Sequence, residues 1–278
     1  MMQTEKASRL LELHHANAPL VLINAWDAAS AAVVEQAGQP AIATSSAAIA
    51  NALGYADGQH VPWPEMLETI GRTARAVRVP VTADIEAGFS ADLPQLEPAI
   101  EQVLEAGAVG INLEDALPGQ EHFGPLYPLA EQVARIQLVR SVSDKFKIHL
   151  VINARVDAYW QKGPTPEEAM RNTLERGQAY LQAGADCIFV PGLRDPNQIR
   201  IVVERLNAPV NILAGPGVPS IPELAKLGVK RVSFGSGPHR AAMGLLRRIA
   251  EEAKTAGTYN ALTQGAVPYP EMNALFGK

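Results

Sequence analysis

Charged and amide side chains interrupt otherwise apolar runs at three places in this chain: Ala83-Asp-Ile-Glu-Ala-Gly88, Asn112-Leu-Glu-Asp115 and Asn153-Ala-Arg-Val-Asp157. Read as strands, these runs put residues two apart on one face. Asp84 then accompanies Glu86, Asn112 accompanies Glu114, and Asn153 accompanies Arg155 and Asp157. A carboxylate inside a fold is costly unless it is paired, hydrogen-bonded or bound to a cation. Asp84, Glu86 and Glu114 facing Arg155 leave a surplus of about two negative charges before Asp157 is counted. A hard divalent cation balances that surplus. All-oxygen ligation, with no histidine or thiol at these positions, favours Mg2+ or Mn2+ over Zn2+, with Mg2+ keeping several waters. The alternative is that Asp84 and Glu86 pair with Arg155 and neighbouring backbone without metal.

Arg155 supplies a planar, permanently charged fork suited to a carboxylate or phosphate, or else forms a structural ion pair with Glu114 or Asp157. Thr44-Ser-Ser-Ala-Ala48 is a run of small residues whose amides can approach an anionic ligand closely. Gly54-Tyr-Ala-Asp-Gly58 has turn composition, and from it Asp57 can reach the same region or simply form the turn. Ser236, Gly237, His239 and Arg240 form a further group, suited to binding phosphate or to starting a helix. His14, His15, His60, His122 and His149 show no metal-ligand spacing. The single cysteine, Cys187, lies in an apolar run and reads as a buried small hydrophobe.

Short Val- and Ile-rich runs recur eight times, at 20–26, 41–46, 79–86, 109–115, 147–157, 187–192, 210–214 and 231–235. Each is followed by a segment of helical period, the alternation of parallel βα units. The runs are mostly continuously apolar, as strands covered on both faces should be. Thr165-Pro-Glu-Glu168, Asp195-Pro196 and Ser220-Ile-Pro222 carry helix-start signals, and Gly38, Gly107, Gly184 and Gly228 fall where a preceding helix should close. An open doubly wound sheet would need a glycine fingerprint after its first strand, and Asn24-Ala-Trp-Asp27 has none. The expectation is a single (β/α)8 TIM-type barrel over 1–278, with the polar groups at the C-terminal ends of its strands. The apolar tail at 257–278 must dock on its own barrel or on a partner subunit; a partner is the expected mate.

The composition supports a packed core: 47% of the 278 residues are hydrophobic and 19% are charged. A formal charge of -5 without runs of one sign argues against nucleic acid or anionic membrane as partner. With neither a membrane-length apolar stretch nor a signal-like N-terminus, a cytoplasmic location is expected.

Taken together, Asn24-Ala-Trp-Asp27, Ala43-Thr-Ser-Ser46, Leu53-Gly-Tyr-Ala-Asp-Gly58 and the three strand motifs resemble the isocitrate lyase and phosphoenolpyruvate mutase superfamily, in order over roughly 20–240. The resemblance implies a barrel whose eighth helix is exchanged between subunits of a homodimer or homotetramer, with Mg2+ and a 2-oxo acid or its enolate in the mouth. It makes Asp84 the principal metal ligand, direct or through water, with Glu86 and Glu114 in its shell. It assigns Ser45, Ser46 and Ala47 to the carboxylate or oxyanion of the substrate, Arg155 to a carboxylate or phosphoryl group, and Trp26 and Asn211 to the substrate side. Asp57, Arg155 and Glu114 are the implied catalytic set. Lyases of the family carry a cysteine-containing motif, with lysine, after the fourth strand; here Ala116-Leu-Pro-Gly-Gln-Glu-His-Phe-Gly-Pro125 has neither, leaving Glu121 or His122 as substitutes. The expected activity is Mg2+-dependent carbon–carbon cleavage of a small 2-hydroxy or 2-oxo di- or tricarboxylate. The alternatives are oxaloacetate decarboxylation and a catalytically silent oxo-acid-binding barrel.

Overall fold

Crossover helices return the chain to the same end of a sheet, so alternating strands and helices run parallel. The structure, a computed structural model describing residues 1–90, 92–118 and 124–277, has that form. In chain order its elements are α1 (Gln3–His14), β1 (Leu20–Leu22), β2 (Asn24–Ala25), α2 (Ala28–Gln36), β3 (Ile42–Thr44), α3 (Ser46–Leu53), α4 (Trp63–Ala76), β4 (Val81–Asp84), α5 (Leu93–Glu105), β5 (Gly110–Glu114) and α6 (Leu129–Phe146). There follow β6 (Val151–Arg155), α7 (Pro166–Gln182), β7 (Cys187–Phe189), α8 (Pro196–Leu206), β8 (Val210–Leu213), α9 (Ile221–Lys226), β9 (Arg231–Ser233), α10 (Gly237–Thr255), α11 (Asn260–Thr263) and α12 (Tyr269–Ala274).

The strands are parallel in the order β1-β9-β8-β7-β6-β5-β4-β3-β2. The first expected strand, 20–26, is in fact two pieces: β1 pairs with β9, β2 pairs with β3, and the ring closes through the segment that joins them. Asn24 makes the seam. Its Nδ2 donates to the Thr44 carbonyl at 2.7 Å, and its Oδ1 accepts from the N–H groups of Phe234 and Gly235 at 2.8 and 2.9 Å. The molecule is thus the expected (β/α)8 barrel.

Local signals act as their chemistry requires. Thr165 and Glu168 form a reciprocal capping box at the start of α7, Ser220 and Glu223 another at α9, and Asp195 caps α8. Such a cap typically contributes about 1 kcal/mol. The four glycines expected at helix ends all have positive φ.

α1 closes the N-terminal end of the barrel. Ala7 and Leu10 pack against Leu20, Leu22, Ala41, Ala43, Val109 and Val151 at the strand starts. His14 is fully buried there; its Nδ1–H donates to the Leu10 carbonyl at 2.8 Å, and its Nε2 lies 3.3 Å from Arg231 Nη1 and accepts from it. Burial, aided by the Arg231 charge, holds the imidazole neutral and lowers its pKa to about 3. Burial likewise pushes the Cys187 thiol up to about 12, in keeping with an inert core position.

The C-terminal elements differ from the rest. α10 buries only His239, and α11 and α12 bury nothing. Met243, Leu246, Tyr259, Leu262, Tyr269 and Phe276 are exposed, while one hydrogen bond, Gln36 Nε2 to Glu271 Oε1 at 3.1 Å, ties α12 back to α2. Among the described residues no helix is long and apolar enough to cross a membrane.

Candidate active site

A cleft of about 420 Å3 opens at the C-terminal ends of the strands, and Asn24, Ser45, Ser46, Ala47, Asp57, Asp84, Asn112 and Arg155 contribute to its lining. Asp84 ends β4 and is held from two sides. Its Oδ2 accepts from the Ser46 N–H at 2.9 Å and the Ser46 hydroxyl at 2.8 Å, while its own N–H donates to Thr44 Oγ1 at 2.8 Å. These bonds fix the carboxylate and leave Oδ1 buried without a partner. Ser46 is therefore spent on Asp84. Ser45 caps α3 through the Ala48 N–H, and Ala47, at the second position of that helix, has an N–H that helix geometry leaves without an internal acceptor. That N–H is the group at this helix start available to an anion.

Glu86 lies behind the cleft lining, close to the charges of Asp57 and Asp84, and not where its spacing suggests. β4 ends at Asp84, and Glu86 lies beyond it with φ 50, a left-handed conformation that costs a non-glycine residue energy. The two-residue strand period does not apply there. A latch holds this turn: the Gln59 N–H donates to Glu86 Oε2 at 2.7 Å, and Gln59 Oε1 accepts from the Phe89 N–H at 2.7 Å. Gln59 and Phe89 also have positive φ, 61 and 50. The latch draws the loop carrying Asp57 onto the mouth. Glu86 Oε1 is buried and unpartnered. Burial, then the charges of Asp57 and Asp84, push its carboxyl up to about 8.

Arg155 is the cationic centre. Its Nε and Nη2 donate to Asp157 Oδ1 and Oδ2 at 2.6 and 2.9 Å, and its Nη1 lies 2.5 Å from Glu114 Oε2. Of the five N–H donors a guanidinium carries, these contacts use three, and the remaining two can meet a ligand in the cleft. The Trp160 ring covers the guanidinium at 4.7 Å. Burial pushes Glu114 well above the usual carboxylate range; Arg155 opposes this but divides its charge with Asp157, and Asp157, Glu86 and Asp84 add negative charge. Behind the clamp, Asp115 accepts from the Asp157 N–H at 2.9 Å, from Tyr180 at 2.7 Å and from Arg176 at 3.2 Å. Through it α7 sets where Asp157, and hence Arg155, can stand.

Beneath this layer the interior is polar. Asn112 Oδ1 accepts from Asn153 at 2.7 Å and from buried Arg231 at 3.1 Å, and Asn211 exchanges hydrogen bonds with Ser233 at 3.2 Å. Asn211 is thus a fully buried packing partner of Ser233 and does not contribute to the cleft lining. Trp26 also stands outside the lining, edge-on to His239 with ring centroids 5.1 Å apart. Glu121 and His122 lie outside the described residues. Sequence reasoning missed Gln59, Asn24, Arg231 and Trp160. Arg231 had a signal, as a charge opening an apolar strand two residues before Ser233; Gln59 had none, since its partners are distant backbone and carboxylate atoms.

The orphaned Asp84 Oδ1 and Glu86 Oε1, in a site with more carboxylates than cations, suit a hard divalent ion. Among the described residues no three His, Cys, Asp or Glu side chains are grouped so as to enclose an ion. Asp84, Glu86 and Glu114, expected together as metal ligands, therefore do not form a three-carboxylate cage.

Known proteins resemble this chain in sequence and in fold. The phosphoenolpyruvate phosphomutase family model matches residues 10–254. The 2-methylisocitrate lyase of Halalkalibacterium halodurans is 32% identical over 212 residues, 75% of this chain and 67% of the lyase. An oxaloacetate decarboxylase of Rhodopseudomonas palustris is 27% identical over 78% of this chain and 70% of its own length. A crystal structure from Burkholderia cenocepacia, provisionally described as a lyase or mutase, superposes with a TM-score of 0.90 at 34% identity, covering 99% of this chain and 97% of that one. This chain belongs to the phosphoenolpyruvate phosphomutase family, within the isocitrate lyase and phosphoenolpyruvate mutase superfamily.

Proposed function

We propose that the protein is a Mg2+-dependent carbon–carbon lyase that cleaves a small 2-hydroxy or 2-oxo acid through an enolate. The observation that carries this reading is the pair of buried, unpartnered carboxylate oxygens, Asp84 Oδ1 and Glu86 Oε1, beside a guanidinium with two N–H donors to spare. Asp84 and Glu86 would hold the ion, with Glu114 in its outer shell. When bound, Mg2+ supplies Lewis-acid stabilisation of the negative charge that develops on the oxo-acid head.

The chain's own residues do the rest. The free Ala47 N–H at the start of α3 binds the carboxylate or oxyanion of that head; one well-aimed donor of this kind contributes on the order of 3 kcal/mol. Arg155 orients the substrate, itself held rigid by Asp157 and Glu114. Asp57, on the loop latched by Gln59 and in the cleft lining, is the carboxylate that would move a proton at the carbon or hydroxyl next to the breaking bond. A homodimer or homotetramer with α10 exchanged between subunits would bury the apolar residues that α10–α12 expose. The test is an assay of purified protein with Mg2+ against isocitrate, methylisocitrate and alkyl-substituted malates. Release of an oxo acid, lost in Asp57→Ala, supports the reading; no release from any of them by metal-loaded protein contradicts it.

The sequence of the loop after β5 favours a second reading, oxaloacetate decarboxylation, which generates the same enolate without needing a cysteine acid for a large leaving group. Carbon dioxide release from oxaloacetate above the rate with metal alone separates the two.

A further inference from the structure

The two sides of the cleft differ in chemistry. β4, β5, β6 and the start of α3 bring most of its charged and hydrogen-bonding groups, whereas the wall at the ends of β7, β8 and β9 is formed mainly by Phe189, Leu213, Phe234, Pro216 and Val218, with Trp160 at its edge and Ser233 and Ser236 as its hydroxyls. The change is abrupt. Phe189 is the strand neighbour of Arg155 and is 5% exposed, so the inner surface turns apolar one strand beyond the guanidinium. The Ser233 hydroxyl, across the register from Leu213, is occupied by Asn211. Trp160 is seated firmly: its ring lies over Arg155, and at Gly192, where φ is 84, any Cβ would come within 2.7 Å of it. The cations on this side, Arg194 and Arg240, are exposed.

We infer that the substrate joins its oxo-acid head to an apolar substituent of several carbons, which lies against Phe189, Leu213 and Val218. A second carboxylate pressed between Phe189, Leu213 and Val218 would lose its hydration, and the cations on this side, Arg194 and Arg240, are solvent-exposed and repay little of it, while alkyl or aryl surface gains by leaving water. The cleft, about 420 Å3, falls in the range of roughly 300–1,000 Å3 typical of sites for ligands well beyond four carbons. This inference rests on the oxo-acid reading above and narrows it to one class of acid. Phe189, Leu213 and Val218 are accordingly specificity-determining residues.

Calorimetric titration of the full-length protein with Mg2+ tests it, using pyruvate, 4-methyl-2-oxopentanoate, 3-phenylpyruvate and 2-oxoglutarate as probes. The two apolar acids should bind at least about tenfold more tightly than pyruvate, and 2-oxoglutarate no more tightly than pyruvate. Leu213→Asn should bring the ratio of apolar acid to pyruvate toward one. Binding of pyruvate with no gain from the apolar acids, a preference for 2-oxoglutarate, or a ratio untouched by Leu213→Asn overturns the apolar wall while leaving the oxo-acid reading intact. Failure of all four acids to bind overturns that reading itself.

Discussion

Arg155 shows how one residue can be both structural and functional. Glu114 and Asp157 hold its guanidinium with three N–H contacts, and Arg155 lines the cleft with two donors that these contacts leave over. A lysine carries the charge without the fork. Arg155→Lys should therefore weaken pyruvate binding in the presence of Mg2+ by about ten- to a hundredfold, the scale of one or two charged hydrogen bonds; calorimetry measures it, and an unchanged affinity would remove Arg155 from the site. At this scale the sequence was most readable where a charge breaks an apolar run. Asp84, Asn112, Glu114 and Arg155 stood out because strands buried on both faces otherwise exclude them. The left-handed backbone of Glu86 does not obey the two-residue period; the Gln59 latch holds its carboxylate behind the cleft lining. Ser46 was read as a substrate ligand, yet its amide and hydroxyl both serve Asp84. Spacing along the chain carries no information about such bonds between residues 38 positions apart.

The element with the clearest measurable consequence is α1, whose sequence showed only the lack of a signal-like N-terminus. It seals the barrel with Leu10 and sets His14 against Arg231. Folded, His14 titrates at about 3; unfolded, at its ordinary value near 6.5. Between these pH values the unfolded chain binds more protons than the folded one, so stability rises with pH across the window and is lost as pH falls through it. At pH 7 the effect is absent. The slope from this group approaches about 1.4 kcal/mol per pH unit. Urea denaturation at pH 7.5, 5.5 and 4.5 should show His14→Leu losing less stability on acidification than the unchanged protein, whatever the substitution costs at pH 7.5; parallel losses would mean that His14 is not buried neutral. Strand and helix order was legible because each crossover repeats the same periodicities and caps. The split of the first strand was not, because it depends on where β9 and β3 arrive on either side of Ile23.

Considered whole, the molecule has a finished barrel and an unfinished exterior. α10 buries His239 alone, and Leu246 and Leu262 are 56% and 52% exposed, which leaves water against an apolar surface that a second subunit would cover. Leu246→Glu combined with Leu262→Glu should shift the protein from an oligomer to a monomer in sedimentation velocity, and a monomer before substitution would refute the exchanged-helix arrangement. The apolar tail was visible in the sequence; its mate was not, since one chain's pattern says that a surface needs covering and not by what. The same holds at the mouth, where surplus carboxylates call for a cation without being one. Anomalous diffraction from crystals grown with Mn2+ and oxalate tests that centre most directly. A manganese peak coordinated by Asp84, directly or through one water, with oxalate between it and Arg155, is the expected result. Oxalate bound with no manganese beside Asp84, or manganese bound elsewhere in the protein, would contradict it.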